Sequence, residues 1–255
     1  GCYLLYFISW LALVLVVSAR APSARTALAV SLGVWMLVTV LAPRLVTELA
    51  RAVAPTPTAS AFAKAVRDDL EKGFDGHAGQ AESMKAFERR ILAQYRVDSV
   101  AQLPVSFAGL ALDEGERLGN VVYDRHFARL WSGFATQERV RALSGVVAPV
   151  LALRALSMGL AGTDVAHHRA FADAAERYRR TLVAAMNGDM TRHAVGEDFD
   201  YKADPALWAA VGPFTYEAPS LGATLGEHRE ALVILGGWAL VATLGAIAAV
   251  ARVRP

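Results

Sequence analysis

The sequence predicts a mainly α-helical membrane protein with three transmembrane helices and an α-helical extracytoplasmic domain inserted between the second and third. Three observations carry that expectation. Every Asp and Glu lies between Glu48 and Glu230, the stretches Gly1–Ala19, Thr26–Pro43 and Ala231–Ala251 carry no charge, and the long segment between the second and third stretches holds no sustained alternating pattern. A helix rises about 1.5 Å per residue and a bilayer core is about 30 Å thick, so each uncharged stretch is near the length of one crossing. A mean hydropathy of +0.33 beside 20% charged residues is the average of these two populations. The expected order is a transmembrane helix at 1–19, a second at 26–43, the helical domain at 44–230 and a third transmembrane helix at 231–251.

Orientation follows from arginine. Of the 26 Lys and Arg residues, only Arg20, Arg25, Arg252 and Arg254 flank the apolar stretches; the other 22 share the insert with all 24 acidic residues. Short Arg-bearing loops stay on the cytoplasmic side. The first connection is therefore expected inside, the insert outside, and Arg252 and Arg254 inside again, as for a multi-pass protein of a bacterial inner (plasma) membrane. A signal peptide is the competing reading of the first stretch, but no basic region precedes it and a second apolar stretch follows at once. The chain opens on Gly rather than Met, so a processed or partial piece of a longer protein is expected, with membrane segments upstream. Cys2 is the single cysteine, which excludes an internal disulfide framework and a cysteine-based zinc site.

Within the insert, Ala54-Pro55-Thr56-Pro57 ends the helix leaving the membrane, because proline lacks a backbone donor and restricts the residue before it. Thr58 or Ser60 caps a helix over 59–72 with Phe62, Ala65, Val66 and Leu70 inward. A turn at 73–77 leads to a helix over 80–95 with Met84, Phe87, Ile91 and Tyr95 at helical spacing. Residues 97–109 read as loop. A long helix over 110–141 is expected to bury Leu118, Val122, Phe127 (with Val121), Leu130, Trp131 and Phe134. After Thr163 or Asp164 as cap, another helix reaches about residue 190, with Phe171, Ala175, Tyr178, Leu182 and Met186 inward and Arg169, Arg177, Arg179 and Arg180 outward. Residues 191–226 are loop-rich, with Phe199, Tyr201, Trp208, Phe214 and Tyr216 and one short helix near 205–211. The segment Leu143–Gly162 is apolar apart from Arg154. Pro149 and three glycines disfavour it as a fourth crossing, and a helix buried in the insert or lying on the membrane surface is the preferred reading.

The chain lacks GxxxxGK[ST], GxGxxG, HExxH and GxSxG, so no P-loop, Rossmann, zincin or serine-hydrolase chemistry is expected from it. Asp164-Val-Ala-His167-His168 is the densest set of possible metal ligands: Asp164 and His168 stand four apart on one helix face. Asp124 and His126 join them only if tertiary contacts allow. The plainer reading is an N-cap aspartate followed by two hydrogen-bonded or solvated histidines. Arg154 suits an anionic headgroup or substrate, or else an internal ion pair. The arginines at 177, 179 and 180 are interleaved with acid in a net-acidic insert, so nucleic acid is not an expected partner. Gly33, Gly236, Gly237 and Gly245 permit close helix approach.

Taken together, APTPTASAF (54–62), QYRVDSVAQLPVSFAGLALDEGERLGN (94–120), YDRHFARLW (123–131), RALSMGLAGTDVAHHRAFADAAERYRR (154–180) and YKADPALWAAVGPFTYE (201–217) resemble the C-terminal half of ABC-type-2 transporter permeases that carry a large extracytoplasmic helical domain of uncharacterised function. The resemblance implies a membrane-embedded permease that pairs with a second copy or a paralogue. It also implies cytoplasmic ATPase subunits as partners, with ATP and Mg bound there and no cofactor in this chain. Such permeases usually have about six spans; three are present here, and the resemblance carries no functional residue across. A membrane-anchored sensor or scaffold without transport is the alternative that the same topology serves.

Overall fold

A computed structural model describes residues 1–195 and 200–252. Phe199 and Arg254 lie outside the described residues. Helices α1 (Cys2–Arg20), α2 (Ala24–Met36), α3 (Ala42–Val53), α4 (Ala59–Lys72), α5 (Gln80–Tyr95), α6 (Phe107–Leu143), α7 (Pro149–Leu160), α8 (Val165–His193), α9 (Pro205–Val211), α10 (Leu221–Glu227) and α11 (Arg229–Val250) account for most of the chain. The one sheet among the described residues is a hairpin of β1 (Gly73–Phe74) and β2 (His77–Ala78). Asp75 and Gly76 both take positive φ in its two-residue turn, the conformation an Asp-Gly pair favours.

Among the described residues, three helices are long and apolar enough to cross a membrane: Cys2–Arg20, Ala24–Val53 and Arg229–Val250. The second is continuous from α2 into α3 through a π-helical turn at Leu37–Leu41. Pro43 sits just past it; its ring would collide with the carbonyl of Thr39 in an unbroken α-helix, and the wider turn absorbs the conflict. The helix stops at Val53, before Pro55, as the sequence predicts.

The chain forms two compact units: residues 1–56, 132–170 and 218–255, and residues 57–131 and 171–217. In the first, α1 and α11 lie side by side and parallel: Tyr6 packs with Ala231 and Leu235, and Gly245 faces Val16 further along. The helix α2 returns against α1, with Ser18 near Ala24 and Trp10 near Trp35 along a shared groove. The apolar segment at 143–162 is not one continuous helix of membrane-crossing length. The last turns of α6 and the short α7 form a hairpin against α11, joined by a 3-10 turn at Ser144–Val146. Arg139 meets Glu230 at 3.3 Å, Trp238 Nε1 donates to the carbonyls of Gly145 and Val146 at 3.1 Å each, Leu153 and Leu156 pack on Ala231 and Leu235, and Gly159 lies against His228. The hairpin thus runs along α11 from Glu230 to Trp238 and back. Its glycines set the spacing, since a Cβ on Gly145 would stand 2.8 Å from the Ala152 Cβ. The glycines expected to bring helices together behave differently: of Gly33, Gly236, Gly237 and Gly245, only Gly245 has a neighbour within 4 Å of a built Cβ.

In the second unit, Thr58 caps α4 by accepting from Ala61 N at 3.2 Å, and Val66, Phe87 and Ile91 are buried on the faces predicted for α4 and α5. Helix α6 begins at Phe107, earlier than expected, where Ser106 N donates to Thr191 O at 2.9 Å. A Cβ on Gly109 would lie 2.5 Å from the Thr191 backbone nitrogen. Gly109→Val therefore separates α6 from α8; overpacking of this kind costs roughly 1–3 kcal/mol, read as a lower thermal midpoint by circular dichroism in detergent. Four inward assignments are corrected: Val121 is 40%, Phe127 41%, Phe171 46% and Met186 40% exposed, while Glu114 and His126 of α6 and Asn187 and Asp189 of α8 are buried. Glu114 pairs with Arg117 in its own helix, His126 with Asp69 of α4, and Asp189 with His193 and Tyr201.

Candidate functional site

The residues singled out as possible ligands fall at the α7–α8 junction in the first unit. Gly162, at φ +68°, ends α7: its N–H reaches Gly159 O at 3.0 Å, and Thr163 N reaches Met158 O at 2.9 Å. This double closure needs a left-handed residue, which glycine adopts without strain. Asp164 then caps α8, its Oδ1 accepting from the backbone N–H of His167 at 2.9 Å. The His167 ring follows its own backbone to the same oxygen, Nδ1 to Oδ1 at 2.6 Å. The second oxygen, Oδ2, is met by Nε2 of His228 at 2.7 Å, just before α11. A carboxylate can only accept, so both imidazoles donate to it. His228 lies flat over α7 because position 159 has no side chain; a Cβ there would be 2.3 Å from His228 Nε2.

Asp164 is 6% exposed. Burial pushes its carboxyl up, but the His167 backbone N–H and the rings of His228 and His167 outweigh that and hold it below its ordinary 3.8. Beyond His167, Nε2 lies 3.4 Å from Thr224 Oγ1. Carboxylate, imidazole and hydroxyl thus stand in the order of a nucleophilic triad. Thr224 is buried, however, and its hydroxyl lies 3.2 Å from Ser220 O, so the chain ends in backbone rather than at a space for substrate. The arrangement joins the start of α8 to α10 and the head of α11.

Of the predicted trio, Asp164 and His167 come together. His168 is exposed, and its backbone N–H donates to Asp164 O at 3.1 Å. Among the described residues no group of three His, Cys, Asp or Glu is placed to hold a metal ion. The ring nitrogens nearest Asp164 carry hydrogen bonds to it, and nothing converges on a common point. No spacing in the sequence links His228 and Thr224, about sixty residues away, to Asp164. The one local cue was a histidine at the mouth of an apolar run.

Arg169 and Arg177 of α8 are exposed as expected, whereas Arg179 and Arg180 are drawn into ion pairs. Arg179 forks onto Glu176 (2.8 and 2.9 Å) and reaches Glu116 and Asn120 of α6, each at 2.8 Å. Arg180 joins Glu176 at 2.8 Å and Asp124 at 3.0 Å. Hydrogen bonds from Arg179, with those of Arg180, hold the Glu176 carboxyl down to about 2 against a smaller opposing effect of burial, and both guanidiniums are raised. His126, the other distant candidate, pairs with Asp69 at 2.9 Å, while Arg125 binds Asp75 at 2.9 Å and stacks over Phe74. Further along α8, Tyr178 donates to Gly212 O at 2.8 Å and packs at a tilt on Phe214, and Phe171 meets Phe214 and Tyr216 edge-on. These groups pair with one another and clamp helices together, although Nη1 of Arg125 is buried without a hydrogen bond.

The fold is therefore that of a helical protein with a polar helical unit and three helices of membrane-crossing length. A family model, described as Domain of unknown function (DUF3526), matches residues 59–217, more than half of the chain, and the chain belongs to that family. The match begins at the first residue of α4 and ends where the second unit ends. It covers the uncharacterised domain in the resemblance; the transporter part has no counterpart in it. No curated protein and no solved structure matches the chain.

Proposed function

We propose that this chain is a permease subunit of an ATP-binding-cassette transporter in a bacterial plasma membrane, with its helical domain outside the cytoplasm and ATP hydrolysis in a separate subunit. The observation that carries the reading is the arrangement of the apolar helices. A chain that crosses three times with Arg20, Arg25 and Arg252 on one side needs its first and third spans parallel and its second reversed. Helices α1 and α11 pack parallel, and α2 returns against α1. Their outer faces are apolar and open, as lipid contact or a second permease copy or paralogue requires: Leu11, Val233 and Val241 are each more than half exposed. Energy for transport comes from the partner, because this chain offers no phosphate-binding loop.

The test is purification of the tagged full chain from membranes of its host. Co-purification of a P-loop ATPase, with hydrolysis faster in the complex than alone, is the expected result. A chain that brings down no ATPase is a sensor or scaffold instead. Cysteine placed at Glu82 and labelled from outside intact cells reports the sidedness independently.

A further inference from the structure

We infer that the groove between α1 and α11 holds an acyl chain of an anionic phospholipid from the cytoplasmic leaflet, with the lipid phosphate taken by Arg20 and Arg252. This rests on the reading above that both helices cross the bilayer with these arginines inside. The packing of the pair creates the groove. Near the head of α11, Tyr6 fills the space against Ala231 and Leu235. Further along, the contact passes to small residues, with Gly245 against Val16 and with Ala12 and Ala246 buried. The larger neighbours stand clear on either side: Leu11 and Leu15 of α1 and Ile247 and Val250 of α11 are all more than half exposed. Small residues form the floor and branched ones the banks of a cleft of about 580 Å³.

The cleft is apolar along its length. Its one hydroxyl, on Thr243, donates to Ala239 O at 2.6 Å and so offers an occupant nothing. The α11 wall runs from Thr243 to Ala251, about 12 Å at ~1.5 Å per residue, which is most of one hydrocarbon leaflet of ~15 Å. These residues end the uncharged run that begins at Ala231, so the leaflet is the one bearing Arg252. A helix with its side chains is about 10–12 Å across and rests on the banks, whereas a polymethylene chain is thin enough to reach the floor. Where lipid is the solvent, such close contact is what holds an occupant in place.

Charge at the mouth decides which lipid. Ala251 ends the wall and Arg252 follows it, while Arg20 ends α1 at the same end of the pair. Both arginines are exposed, and every Asp and Glu lies between Glu48 and Glu230, so neither flank supplies an acid. An acyl chain seated in the groove brings its phosphate to the depth of these two residues. Guanidiniums there lay their stems along apolar surface and fork onto the phosphate oxygens. A basic site between helices on the cytoplasmic side suits an anionic headgroup. A zwitterionic lipid brings its own cation beside the phosphate, so the two arginines select a lipid of net negative charge.

The experiment uses the full chain with Cys2→Ser in phosphatidylcholine vesicles, carrying bimane on Leu15→Cys in the groove or on Leu240→Cys outside it. A small, equal fraction of acyl-chain nitroxide lipid is added, either as phosphatidylglycerol or as phosphatidylcholine. At position 15 the phosphatidylglycerol label is expected to quench about threefold more strongly, and at position 240 the two labels quench equally. Arg20→Gln with Arg252→Gln abolishes the preference, and Arg20→Lys with Arg252→Lys keeps most of it. Raising salt from about 0.1 M to about 1 M also removes most of it, a reading that needs no variant to insert correctly. Equal quenching by the two labels at position 15 overturns the inference and leaves the membrane reading intact. Quenching at 240 with none at 15 does the same, because another helix or a second copy then fills the groove. No quenching at either position overturns the membrane reading as well. A preference that survives both high salt and the double glutamine variant overturns the phosphate site.

Discussion

Asp164→Ala lowers the thermal unfolding midpoint of the solubilised chain by roughly 10 °C, the largest drop expected of any polar substitution here. Three donors lose their acceptor at once: the His167 backbone, the His167 ring and the His228 ring, all on a carboxylate 6% exposed. Removing one partner from a buried polar set costs about 3–5 kcal/mol, more than the set is worth when intact, because the others are left unpaired. Asp164→Asn keeps the shape and the cap, yet one side of an amide cannot accept, so it loses about half as much. A double-mutant cycle with His228→Ala should return a coupling of about 1–3 kcal/mol; a coupling near zero would mean that the α7–α11 junction is held without this network. The pH dependence has a definite sign. The folded carboxyl sits below its ordinary 3.8, so its contribution is full above that value and fades as pH falls through the lower folded one. The gap between wild type and Asp164→Ala therefore closes only in strong acid.

Leu156→Ala is the corresponding apolar case. Leu156 is 1% exposed and Leu235 0%, and they meet beside Tyr6, Leu153 and Ala231 where α7, α1 and α11 converge. Truncating a leucine at such a point costs about 2–5 kcal/mol, part of it from the void left behind. In a bilayer the helices gain little from being hidden from water, so packing carries more of their association. A midpoint drop near 10 °C is expected for Leu156→Ala, and at most a few degrees for the volume-conserving Leu156→Met. Equal midpoints for Leu156→Ala and the parent would show that α7 is not docked on the two helices.

Where a local signal decides a structure, the sequence was sufficient. Thr58 and Asp164 cap their helices, Pro55 follows a helix end, and α4, α5 and α9 fall at 59–72, 80–95 and 205–211 as read. The faces of α6 and α8 were harder. Phe127 and Phe171 have helical spacing yet stay half-exposed against Phe62 and against Phe214 and Tyr216, while Arg179 and Arg180 with their carboxylates join α8 to α6. Periodicity measures apolarity and is blind to a saturated ion-pair seam. The segment 143–162 is legible as apolar and broken by Pro149 and glycine, but not as a hairpin, since its partners Trp238 and Glu230 lie some ninety residues away. Half of the Asp164 cluster was visible for the same reason: the cap is local and His228 is not.

The π-helical turn at Leu37–Leu41 has a consequence for everything above it. One surplus residue wound into a single turn rotates the rest of the rod by about 100°. Thr47, Glu48 and Arg51 therefore point in directions that an unbroken coil would give to their neighbours. Pro43 pins the surplus to this turn, so deleting one residue from 37–41 swings everything above it by about 100° and sets the Pro43 ring against a carbonyl.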